Sequence, residues 1–190
     1  MPPRLRLSPE REDEILSTAF ELMMEQGFDR VTVDAVAARS GASKATLYRR
    51  WASKPELLVA AVRRRIPVPF ELPEHGDFRE DVLFGLRLVK SWLDGNLAAL
   101  QFLVEASRRD DALSEEMQRQ IAGPHDGMWL GLADRWRGRP GIRAGIDLTW
   151  LHTLCEGVMT NQLLPNQEPL TDEYLVRFVD EVVLPLFTQP

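Results

Sequence analysis

Apolar residues recur along this chain at intervals of three and four, the spacing of one face of an α-helix, and almost nowhere alternate as a half-buried strand requires. Ile15, Leu16, Ala19, Phe20, Leu22 and Met23 form a first such face, opened by Ser8-Pro9 and closed by Gly27. A second segment starts at Thr32, whose hydroxyl suits an N-cap, and runs through Val33, Val36 and Ala37. A third spans about Ser43 to Trp51. Ser53-Lys54-Pro55-Glu56 has the spacing of a capping box and opens a fourth, which Pro67 and Pro69 must end. With three prolines and a glycine, Pro67 to Gly76 reads as a loop between two parts. Beyond it the pattern predicts a helix over Asp77–Asp94, with Asp77 and Glu80 at its start, and a shorter one near Asn96–Arg108. A longer run over Ser114–Arg137 is bent or broken at Gly123-Pro124. After the turn from Gly138 to Gly145, two final helices cover about 146–164 and 171–187. The single β-branched run, Val31-Thr32-Val33, is too short to anchor a sheet. The expected fold is all-α: a small N-terminal unit, residues 1–66, and a larger helical body, residues 67–190.

At 190 residues and 44% hydrophobic the chain can bury a core, and at 27% charged it should stay in solution. No apolar run approaches the ~20 residues needed to span a bilayer, and the first residues carry no stretch of signal-peptide type. The single cysteine, Cys155, excludes an internal disulfide and fits a reducing compartment. The chain therefore reads as cytoplasmic, without a membrane partner. A net charge of −6 argues at first against nucleic acid. Its distribution reverses that: residues 1–65 sum to +3 and residues 66–190 to −9. Between Asp34 and Glu56 there is no acid, while Arg39, Lys44, Arg49, Arg50 and Lys54 fall in that window. Duplex DNA attracts a local basic face rather than a whole-chain average.

The segment from Thr32 to Trp51 carries the function. Two short helices that cross steeply need a small residue where they touch, and Ala37 supplies it. Their tight turn needs a residue that accepts positive φ, and Gly41 follows four positions later. Leu47, six residues after the glycine, can return the second helix to the shared core with Val33 and Val36. That spacing is what a helix-turn-helix requires. The outward face of its second helix then holds Lys44, Thr46, Tyr48 and Arg49, long cations and hydroxyls that suit phosphates and base edges. The competing reading is a pair of surface helices with an ordinary solvated charge run. Arg4 and Arg6 could form a minor-groove arm, though a free tail is the simpler reading.

The stretch from Thr32 to Trp51, followed by Ser53-Lys54-Pro55-Glu56-Leu57-Leu58 and preceded by Glu25-Gln26-Gly27-Phe28, resembles the N-terminal domain of TetR-family regulators. Trp51 stands where that family usually has Phe, and both fill an aromatic core position. The resemblance implies a homodimer, usually a repressor, released from its double-stranded DNA operator by a small-molecule effector bound in the helical body. By position it implies that Thr32, Tyr48 and Lys54 bond phosphates and that Lys44, Ala45, Thr46 and Arg49 read bases. Ser43, at the start of the recognition helix, completes the set.

In the body, one recognition helix reads few base pairs, so two copies about one DNA turn apart are expected. Leu151, Cys155, Val158 and Met159 form one stripe with Leu148. Leu175, Phe178, Val179, Val182 and Leu186 form another on the last helix. A four-helix interface from two subunits is the expectation, with internal core as the alternative. By resemblance, Leu88, Trp92, Phe102, Met128, Trp129, Leu132 and Trp150 lie on the helices that enclose an effector pocket; for each of them plain core packing is the stronger reading. Few cations lie at those walls, which favours an apolar or cationic ligand. His152, Cys155 and Glu156 share a helix face with metal-ligand spacing, but three groups on one turn without a second His/Cys cluster make packing roles the stronger reading. No cofactor is implied. The rival classes are a ligand-binding module without DNA affinity and an enzyme; no Glu-x-x-His, Gly-rich phosphate loop or Gly-x-Ser-x-Gly elbow supports the latter.

Overall fold

The computed structural model describes residues 7–65, 72, 74–161, 164 and 169–189. The arm with Arg4 and Arg6 and the stop at Pro67 and Pro69 lie outside them. Among the described residues ten α-helices follow in chain order: α1 Pro9–Gln26, α2 Val33–Ser40, α3 Lys44–Arg50, α4 Lys54–Arg63, α5 Phe78–Ser107, α6 Asp111–Met117, α7 Gly123–Trp136, α8 Thr149–Thr160, α9 Asp172–Phe178 and α10 Leu184–Phe187. Among the described residues there is no strand, only an isolated antiparallel bridge between Ile142 and Thr188.

Two compact units emerge, residues 1–66 with 98–121, and residues 67–97 with 122–190. In the first, α1 packs on α2 and α4, α2 on α3, and α4 on α6. The predicted caps all form: Ser8, Thr32, Ser43 and Ser53 each accept a hydrogen bond from the backbone N–H three residues on, so every helix of the N-terminal quartet starts where its sequence says. Their apolar faces meet in a core of Ile15, Leu16, Ala19, Met23, Val36, Leu47, Leu57, Leu58 and Val62, closed by Leu103 and Leu113. Trp51 is buried there, as its aromatic position requires.

The second unit is organised around Trp129, wholly buried on α7, with Val82, Leu83 and Leu86 of α5, Leu151 and Cys155 of α8, and Leu175, Val179, Val183 and Phe187 near the C-terminus. Gly85 lets the indole approach: a Cβ there would stand 3.0 Å from Trp129. Arg79 pairs with Asp180 at 2.5 Å and Arg87 with Asp172 at 2.6 Å, fixing the C-terminal helices to α5.

Two expectations need correction. The helices sought over 77–94 and 96–108 are one helix of thirty residues. Gly95 does not break it, and Asn96 turns its amide back to the Trp92 carbonyl, 3.0 Å away, so no exit signal operates. The run through Gly123-Pro124 does not break there. α6 passes through one wide turn, Gln118–Ala122, directly into α7, whose first turn tolerates the proline because that N–H has no intrahelical partner. A second wide turn, Val179–Val183, joins α9 to α10.

Candidate nucleic-acid interface

α2 and α3 form the bent pair that the spacing predicts. Gly41 sits at φ +67°, the left-handed conformation that closes α2, and the N–H of Ala42 returns to the Ala37 carbonyl at 3.0 Å. Val36 and Leu47 are buried between the helices. Arg11, which no local pattern marks, donates from α1 to the Ser40 carbonyl at 2.6 Å and holds the end of α2. Ser43 caps α3, and its hydroxyl lies 2.8 Å from that of Thr46.

Burying Leu47 turns the opposite face of α3 outward. Lys44, Ala45 and Arg49 are exposed, Tyr48 is 47% exposed, and Thr46 is half-buried. Thr32 is exposed at the start of α2, its oxygen accepting from Ala35. Lys44 lies 2.8 Å from Asp34 and near the Tyr48 ring; its hydrogen bond to that carboxylate, followed by their charge attraction, raises its pKa. Arg49 forms no ion pair among the described residues.

The basic window is less basic than its sequence suggests. Arg50 forms a two-point pair with Glu12, at 2.5 and 3.0 Å, and Arg39 does the same with Glu25, at 2.6 and 2.8 Å. These acids come from α1, so a linear tally of charge between Asp34 and Glu56 cannot include them. Lys54 directs its ammonium at the carbonyls of Phe28 and Asp29, at 3.0 and 3.3 Å, and covers the Phe28 ring. It ties the start of α4 to the α1–α2 turn and leaves one of its three N–H donors uncommitted.

The body residues divide differently from expectation. Leu151, Cys155, Met159, Leu175, Phe178 and Val179, read as a dimer face, are buried within the protomer. On α8 a second apolar row with Trp150 and Leu154 lies further out, whereas near the C-terminus Val183 and Phe187 on the neighbouring row are buried as well, so the chain's own core covers both. Val158 and Leu186 are half-buried and Val182 is exposed. Of the residues placed at the pocket, Trp92, Met128, Trp129 and Leu132 are buried and Leu88 is half-buried. Phe102 instead belongs to the first unit, exposed on the wall of a cleft of about 760 Å³ between residues 26–30 and 102–111, because α5 runs on past Gly95. Trp150 is 57% exposed, on the outer face of α8. The trio His152, Cys155 and Glu156 also separates: burial pushes the Cys155 thiol far above its usual range inside the core, while His152 and Glu156 face His125 and Asp126 of α7.

Comparison with known proteins agrees with this geometry. Residues 15–61 match the family model described as bacterial regulatory proteins, tetR family, and residues 72–182 match the tetracyclin repressor-like C-terminal domain. The HTH-type transcriptional regulator Rv1556 of Mycobacterium tuberculosis is 33% identical over 183 residues, covering 94% of this chain and 89% of that one. The DNA-binding transcriptional repressor TetR of Mycobacteroides abscessus is 30% identical over 178 residues, covering 93% of both. Among solved structures, the TetR family transcription regulator SCO0332 superposes with a TM-score of 0.66 at 26% identity, over 95% of this chain and all of that one. Among the described residues no helix is long and apolar enough to cross a membrane.

Proposed function

The chain belongs to the TetR family of helix-turn-helix transcriptional regulators, and on that premise we propose that it is a homodimeric repressor whose α3 enters the major groove of its operator and whose second unit takes a small-molecule effector. The observation that carries the DNA part is the split of α3: Leu47 buried, Lys44, Tyr48 and Arg49 outward. Thr32, Ser43 and Tyr48 serve as phosphate contacts, Ala45, Thr46 and Arg49 as the groove-facing set, and Lys44 is shared with Asp34. The α1-paired Arg39 and Arg50 hold the domain together.

The effector reading draws on Trp92. Its indole N–H is buried without a hydrogen-bond partner among the described residues, a burden of about 1–3 kcal/mol that an acceptor on a bound molecule relieves. The dimer reading draws on apolar groups left in water: Trp150 on α8, Tyr174 on α9 and Val182 just after it.

Selection of genomic fragments by the purified chain, then fluorescence anisotropy on the recovered sequence, tests the DNA reading. Arg49→Ala should cost about 1–3 kcal/mol on that sequence and flatten discrimination at one base pair. Arg50→Ala should cost little binding once stability is matched by temperature. A chain that enriches no fragment, or an Arg49→Ala variant indistinguishable from the parent, overturns the assignment.

A further inference from the structure

The contact between α7 and α8 gathers four groups that DNA reading does not use. Each helix contributes one imidazole and one carboxylate, and they pair crosswise. His152 Nε2 lies 3.1 Å from Asp126 Oδ1, and His125 Nδ1 lies 3.1 Å from Glu156 Oε2. One donor atom from each of His125, Asp126 and His152 falls within 4.8 Å of the others. His125 is buried; the other three are half-buried. Glu156 Oε2 is buried as well, and no hydrogen bond reaches it among the described residues: it sits beside the His125 ring but out of line with its N–H. A carboxylate oxygen withdrawn from water whose neighbouring donor is poorly aligned keeps part of its desolvation cost. A cation between the helices removes that cost.

We propose that His125, Asp126 and His152, with Glu156 as a fourth ligand, form a binding site for a divalent transition cation of the zinc type. Two nitrogens and two carboxylate oxygens suit such an ion, whose bonds of about 2.0–2.2 Å require donors roughly 3.4 Å apart. The donor atoms of His125, Asp126 and His152 already lie within 4.8 Å of one another, and Glu156 lies 3.1 Å from His125. Two carboxylates also match the charge of the ion, so the site becomes neutral when filled.

Trp129 gives the site a signature. Its indole N–H donates to His125 Nε2 at 3.1 Å, which places the proton of the neutral ring on Nδ1. A cation at Nδ1 sends that proton to Nε2, where it confronts the indole N–H, so Trp129 must give up its acceptor. Binding therefore transfers a proton within one ring, releases none from it, and changes the surroundings of a buried tryptophan.

Stripping the full chain with a chelator and titrating it with Co²⁺ tests this directly, independently of DNA binding. Visible d–d absorption and tryptophan emission should saturate together at one cation per chain, and Zn²⁺ should displace the Co²⁺. Asp126→Asn and His152→Gln should each weaken binding about tenfold or more, with helical content unchanged by circular dichroism. Titration of the unsubstituted chain is decisive even where a variant folds poorly: binding that does not saturate at one cation per chain overturns the site. So does an affinity indifferent to both substitutions in folded protein.

Discussion

Asp81 has no exposed surface, yet its carboxylate is well supplied with donors. Its two oxygens accept from the backbone N–H and Nδ1 of His75 and from the Trp136 indole, each at 2.9 Å, with Arg135 at 3.5 Å. Burial alone would raise its pKa; those donors and the Arg135 charge more than offset it and hold the carboxyl below its usual range. A folded-state pKa depressed in this way adds stability above the unfolded value of about 3.9 and loses it as pH falls through the folded value. Asp172 and Asp180, lowered by their arginine hydrogen bonds, act in the same direction more weakly because they are exposed. Unfolding midpoints should thus hold level from neutral pH to about pH 5 and fall below about pH 4. Asp81→Asn should lose roughly 3 kcal/mol in urea titrations at pH 7, because an amide cannot satisfy that many donors, and should show a shallower acid limb. An unchanged limb in the variant would place the acid sensitivity elsewhere.

Among the helices, two glycines of α5 invite opposite outcomes. At Gly85 a methyl group would meet Trp129 at 3.0 Å and Leu72 at 3.3 Å, and Trp129 is held by its bond to His125. Gly85→Ala should therefore cost about 1–3 kcal/mol by overpacking. At Gly95 nothing lies within 4 Å, so Gly95→Ala should gain up to about 1 kcal/mol from helix propensity alone. Thermal melts of the two variants check both signs. The contrast also explains what the sequence conveyed. α1 to α4 were legible because caps, Gly27 and Gly41 sit at their ends and punctuate the periodicity. Gly95-Asn96 looks like the same punctuation but lies inside a helix, since packing on both sides outweighs one unfavourable residue. The outward face of α3 followed from Leu47 alone. Which of the two apolar faces of α8 the protomer covers could not follow, because spacing reports that both are apolar and not which meets the core first.

At the scale of the molecule, charge and apolar surface are unevenly spread. Residues 66–190 carry −9 of the net −6, and the same region leaves Trp150, Tyr174 and Val182 in water. A bare indole on an otherwise acidic region fits the proposed pairing of the chain with its own copy. Trp150→Glu should shift sedimentation from dimer to monomer while leaving helical content intact, since the side chain contributes little to the protomer's core. A parent protein that sediments as a monomer at micromolar concentration would refute the pairing.

The ion pairs of Arg39 and Arg50 reach further than their own stability. Cations committed to α1 are unavailable to the featureless part of any duplex, and that part is what binds a regulator everywhere along a chromosome. On the proposed reading of α3, a weaker indiscriminate hold would leave the regulator less titrated by irrelevant sites, and more of its dwell time would be decided by the bases beneath that helix. Selectivity would then rest as much on the arginines the molecule withholds as on the one it offers.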